Sequence, residues 1–106
     1  MDRTHRVLVV DDDTALAEIC ARLVQEMGCE ARTASGGHEG LGLALCEDYD
    51  LVVTDLRMSD LDGMEVLRRL AKERPRTSVI VMSGFAGVPS AVEAAKLGAT
   101  DFIEKP

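Results

Sequence analysis

At 106 residues, 46% hydrophobic and 29% charged, the chain holds material for one buried core and is too short for two. Its 12 Lys and Arg against 19 Asp and Glu leave a formal charge of −7, and an acidic chain argues against a nucleic-acid-binding surface or docking on anionic lipid, both of which need a basic stripe. No apolar run reaches the roughly 18 residues of a membrane span, and the Met1–His5 opening has no signal-peptide pattern, so a cytoplasmic address is expected.

The first apolar run, Val7–Val10, reads as a strand that ends in acids. Leu16, Ile19, Cys20, Leu23, Val24 and Met27 then recur at helical spacing, and Gly28 stops them. Glu30–Ala34 is a less apolar strand suited to a sheet edge. A second helix is expected with Ser35 as its N-cap, carrying Leu41, Ala44 and Leu45. Leu51–Val53 is a strand, and a third helix runs from about Met64 through Val66, Leu67 and Leu70 to a stop before Pro75. Val79–Met82 is the fourth strand. The fourth helix opens at Pro89, includes Val92 and Ala95 and stops at Gly98; the weaker run Phe102–Ile103 is the last strand. Strands rich in Val, Ile and Leu without polar alternation are buried on both faces. Strict β-α alternation therefore predicts an α/β, doubly wound, parallel five-stranded sheet in one domain over residues 1–106. Cys20, Cys29 and Cys46 are odd in number, lack metal-ligand spacing and read as small buried thiols.

In an open α/β sheet, ligands bind beyond the carboxyl ends of the strands. There the first strand delivers Asp11, Asp12 and Asp13, the third Asp55, the fourth Ser83 and Gly84, and the fifth Lys105. Clustered carboxylates raise each other's pKa unless a cation joins them, and an all-oxygen set suits Mg²⁺. Lys105 supplies a mobile point charge, Ser83 a hydroxyl donor, and an Asp is itself capable of accepting a phosphoryl group. Asp13, beside Thr14, reads more simply as a helix N-cap.

The strings VLVVDDD (Val7–Asp13), DLVVTDLRMSDLDGMEVL (Asp50–Leu67), VIVMSGFA (Val79–Ala86) and GATDFIEKP (Gly98–Pro106) resemble the receiver domain of two-component response regulators over the whole chain. The resemblance implies the flavodoxin-like strand order 2-1-3-4-5 and Asp55 as phosphoacceptor. It implies Mg²⁺ held by Asp12, by Asp11 mainly through water, by Asp55 and by the Arg57 backbone carbonyl. Ser83 and Lys105 match the phosphate-binding positions, and Phe102 the aromatic that switches rotamer. A receiver of this kind takes its phosphoryl group from a sensor histidine kinase and assists its own phosphorylation and dephosphorylation without being an enzyme in the ordinary sense. The Ser83–Pro106 stretch is most similar to receivers of nitrogen-regulation and nitrogen-fixation regulators, which implies a C-terminal transcriptional output in the parent protein.

Two departures stand out from that pattern. Ser59 occupies a position where the family usually has Pro, which is expected to loosen the loop after Asp55. The family's fifth helix has no counterpart before the chain stops at Pro106, so an apolar face on the side of the first helix is expected to lie open and to mediate self-association. A cis Lys105–Pro106 bond is a further expectation. Other readings fit less well. A phosphatase of the haloacid-dehalogenase type would use Asp11 and Asp13, but Ala15 sits where Thr or Val belongs. Asp11–Asp13 would repel the phosphate of a flavin. A degenerate receiver, binding partners without phosphorylation, is the alternative to an active one.

Overall fold

The apolar runs become five parallel strands separated by four helices in a computed structural model that describes residues 4–84 and 88–105. Strand β1 (Arg6–Val10) is followed by α1 (Thr14–Glu26), β2 (Glu30–Ala34), α2 (Gly37–Cys46), β3 (Leu51–Asp55), α3 (Gly63–Glu73), β4 (Ser78–Ser83), α4 (Val88–Leu97) and β5 (Asp101–Glu104). The sheet order is β2-β1-β3-β4-β5, the doubly wound order expected, with the less apolar β2 at one edge. The proposed Lys105–Pro106 cis bond lies outside the described residues.

Register decides where the strand-end residues gather. Val10 pairs with Ala34 and Thr54, Asp55 with Met82, and Ser83 with Glu104. The residues that end or follow these strands, Asp11, Asp55, Ser83 and Lys105, therefore share one rim.

Strand alternation divides the core in two. Leu8, Val10, Val52, Val79 and Val81 face α2, α3 and α4, which contribute Leu41, Ala44, Val66, Leu67, Leu70 and Ala94. Fully burying a Val or Leu side chain contributes about 1.5–3 kcal/mol. On the other face Val7 and Val9 meet Ala17, with Cys20, Val24, Cys29, Leu51 and Val53 half-buried around them.

That second face departs from the helical pattern in the sequence. In α1 the buried residues are Ala17 and Ala21, while Ile19, Leu23 and Met27 are exposed. Small side chains let the helix seat closely on β1 and β2, and the larger apolar ones stay at the surface. Ile103 of β5 is exposed as well. Cys46 is also exposed, not buried, because it closes the last turn of α2 at the surface. Gly28 and Gly98 end α1 and α4 with φ of +91° and +105°, the left-handed conformation that favours glycine.

The start of α2 differs from expectation too. Its N-cap is Gly36, and Ser35 turns instead to Glu39, whose carboxylate accepts from the Ser35 N–H at 2.7 Å. The open amides of Gly37 and His38 are capped from a distance by Asp60, at 2.9 and 3.0 Å. These two amides hold the Asp60 carboxyl below its ordinary range, with His38 the larger influence. No described helix is long and apolar enough to cross a membrane.

Candidate functional site

Three carboxylates converge at the carboxyl rim. Asp11, Asp12 and Asp55 each place an oxygen within 4.8 Å of the others, although 42 positions separate the second from the third in sequence order. Asp11 is fully buried and Asp55 nearly so, whereas Asp12 is exposed. Each is held in its own way. The Asp11 carboxylate accepts from the Asp13 N–H at 2.9 Å and from Lys105 Nζ at 2.9 Å. Lys105 Nζ also lies 3.2 Å from Asp55 Oδ2, so one ammonium spans two buried acids. Asp12 Oδ2 accepts from the backbone N–H of Ser59 at 3.1 Å.

The chain brings Lys105 here by a backbone route. The Lys105 N–H donates to the Ser83 carbonyl at 2.8 Å, extending the β4–β5 ladder past its last paired residues. On the other side of β4, the Leu56 N–H donates to the Met82 carbonyl at 2.8 Å, and Gly63 N–H to the Leu56 carbonyl at 2.8 Å. The start of α3 is thereby pulled against the end of β3, and a Cβ on Gly63 would overlap the Asp55 carbonyl oxygen.

Electrostatics set Asp55 apart from an ordinary carboxylate. Burial pushes its carboxyl above the ordinary range and the charge of Asp11 adds to this; hydrogen bonds from Lys105 and the Arg57 N–H oppose the shift without cancelling it. For Lys105, burial works against the charge, but its hydrogen bonds to Asp11 and Asp55 outweigh it and hold the ammonium above its usual range. Three carboxylates against one ammonium leave a local surplus of negative charge. A set made of oxygen donors only, short of positive charge, fits a hard divalent cation.

The sequence-derived residues mostly assemble. Asp11, Asp12, Asp55 and Lys105 share the crevice, and Ser83 is buried at the end of β4 beside them. Arg57 follows Leu56 in the loop after β3, exposed, and its backbone N–H donates to the Asp55 carboxylate. Phe102 is half-buried against the core that includes Ala94 of α4. Asp13 stands apart: its carboxylate accepts from the Leu16 N–H at 3.2 Å and caps α1. A paired Asp11–Asp13 site therefore finds no support. Sequence reasoning missed the Ser59 amide; the one signal was a residue other than Pro at position 59, which keeps an N–H there without naming its acceptor.

A doubly wound α/β sheet with a buried acid pair, an exposed third acid and one lysine at its switch-point rim defines a class of proteins that handle cations and phosphoryl groups. The chain belongs to the response regulator receiver domain family, whose model matches residues 7–106. The cell cycle response regulator CtrA of Brucella ovis is 35% identical over 101 residues, which are 95% of this chain and 44% of that protein. The chain thus spans less than half the length of the curated relatives it matches. Among solved structures, a CheY-like receiver domain protein from Methanospirillum hungatei is 32% identical with a TM-score of 0.94, covering 98% of this chain and 83% of that one. A response regulator from Burkholderia pseudomallei, solved with a phosphorylated aspartic acid, calcium ion and citrate, is 30% identical with a TM-score of 0.91, covering 96% and 60%.

Proposed function

We propose that this chain is an active phosphoacceptor in a two-component relay, with Asp55 receiving a phosphoryl group from a phosphohistidine on a sensor kinase. The observation that carries this reading is the position of Lys105, 2.9 Å from Asp11 and 3.2 Å from Asp55, over a carboxylate that burial has already raised in energy. Asp11, Asp12, Asp55 and the Arg57 carbonyl would hold Mg²⁺, which supplies positive charge to the oxygens of a transferring phosphoryl group.

The remaining work belongs to side chains of this protein. An Asp55 oxygen donates a lone pair to phosphorus, the O–P bond forms as the N–P bond breaks, and that electron pair leaves with the kinase imidazole. Lys105 pairs with the phosphoryl oxygens, and burial excludes competing water. The new group carries about −1.5 to −2 charges. Ser83 is drawn toward it, Phe102 repacks against the α4–β5 face, and hydrolysis of the acyl phosphate resets the switch. The Ser83–Pro106 string supports a transcriptional output in the parent protein, of nitrogen-regulation type. The receiver unit extends over residues 1–106 in this reading, and acts in the cytoplasm.

Acetyl phosphate with Mg²⁺ is expected to add the mass of one phosphoryl group to the protein, and Asp55→Asn or removal of Mg²⁺ to abolish it. No mass gain in the wild-type chain would turn the reading to a receiver that binds without phosphorylation. The exposed Ile19, Leu23, Met27 and Ile103 support self-association of the chain through apolar residues of α1 and β5. Light scattering is expected to show mass rising with concentration; a constant monomer mass would sink that part.

A further inference from the structure

Of the three clustered acids, Asp12 is the one most weakly held. Asp11 has two donors and Asp55 has Lys105 and the Arg57 amide, but among the described residues the Asp12 carboxylate accepts only the Ser59 N–H. It is also the exposed member. Repulsion from two neighbouring carboxylates would swing an untethered, solvated Asp12 outward, away from the place where a cation needs it.

The tether has an anchor of its own. The residue after Ser59 is Asp60, whose carboxylate accepts from the Gly37 and His38 amides at the start of α2 and from the Leu61 N–H at 2.9 Å. The fit is close: a Cβ on Gly37 would overlap Leu61, and one on Gly36 would press on the Asp60 carboxylate at 3.0 Å. The segment Ser59–Asp60 thus bridges the N-terminus of α2 and the first acidic loop.

We infer that the Ser59 backbone amide is a positioning group that preorganises Asp12 for the divalent cation, with Asp60 fixing that amide on α2. The inference rests on the cation reading given above and deepens it. A hydrogen bond from outside the coordination sphere that orients a ligand is worth about 10–100-fold in metal affinity. The serine hydroxyl plays no part, so the residue type at position 59 matters only through whether it carries an N–H.

The test titrates Mn²⁺ into the full chain and reads free Mn²⁺ by electron paramagnetic resonance, with circular dichroism as the check on folding. Ser59→Ala keeps the N–H and is expected to bind as wild type. Ser59→Pro removes the N–H and is expected to bind about tenfold more weakly. Ser59→Pro binding as tightly as wild type, or tighter, would overturn the inference. Asp12→Ala separates the two claims: if wild type binds and Asp12→Ala does not, the site reading stands whatever position 59 does. A second measurement covers a misfolded proline variant. In metal-free protein the Ser59 amide should exchange its hydrogen more slowly in wild type than in Asp12→Ala, and equal rates would overturn the inference equally.

Discussion

The two ends of the sheet use their charges in opposite ways. At the amino end, Arg6, Arg74 and Arg76 face Asp48, Asp50 and Glu73 across a groove of about 640 Å³. Opposite charges pair off there. Arg6 bonds Glu47 at 2.8 Å and stacks 4.8 Å above the Tyr49 ring, Arg32 also meets Glu47, and Arg74 meets Asp48. At the carboxyl end, one lysine bridges two of three clustered acids. The amino end is electrostatically satisfied in a solvated setting where ion pairs contribute little. The carboxyl end is buried and short of positive charge, and that imbalance is what a cation and a phosphoryl group would relieve. Two poles of one sheet thus separate paired charge from unbalanced charge.

The sharpest way to break this contrast is to remove the lysine. Lys105→Ala leaves Asp11, fully buried, and Asp55, 6% exposed, with no ammonium between them. The expected loss of stability at neutral pH is about 3 kcal/mol, the scale for orphaning a buried charge. Because the orphaned groups are acids, the loss should shrink as pH falls and they take up protons. Added Mg²⁺ should restore part of the melting temperature by mass action. Denaturant melts of the variant with and without Mg²⁺ measure both; a loss insensitive to pH and metal would mean that Lys105 acts only through packing.

Much of this carboxyl end was legible in the sequence because strand ends in a parallel sheet are set by local punctuation. Acids follow Val10, Asp55 ends the third apolar run, and Lys105 follows the fifth; once alternation implies one parallel sheet, these must share a rim. Asp13 was readable as a cap for the same local reason. What escaped were long-range backbone contacts. Ser35 looks like the cap of α2, yet the amides of that helix are satisfied by Asp60, more than twenty residues away. The Ser59 amide reaches back to Asp12, 47 positions earlier. The apolar periodicity of α1 showed that a helix forms without showing that alanines, not Ile19 or Leu23, would meet the sheet.

The gentlest test removes one negative charge and keeps the shape. Asp55 has its carboxyl raised above an ordinary value near 3.8, chiefly by burial. Between that value and the raised one the folded chain holds a proton the unfolded chain has lost, so stability falls as pH climbs through the window. Above it, ionised Asp55 is a standing destabilisation. Asp55→Asn should therefore raise the melting temperature by a few degrees at neutral pH, and the gain should vanish below the ordinary carboxylate value, where Asp55 is neutral in both states. Arg6→Ala supplies the contrast at the other pole: it removes a partner of Glu47 and the stack on Tyr49, so it should lower the melting temperature while leaving Mn²⁺ affinity unchanged. Asp55→Asn without a pH-dependent gain would mean that Lys105 already balances the crevice, and the distinction between the poles would reduce to burial alone.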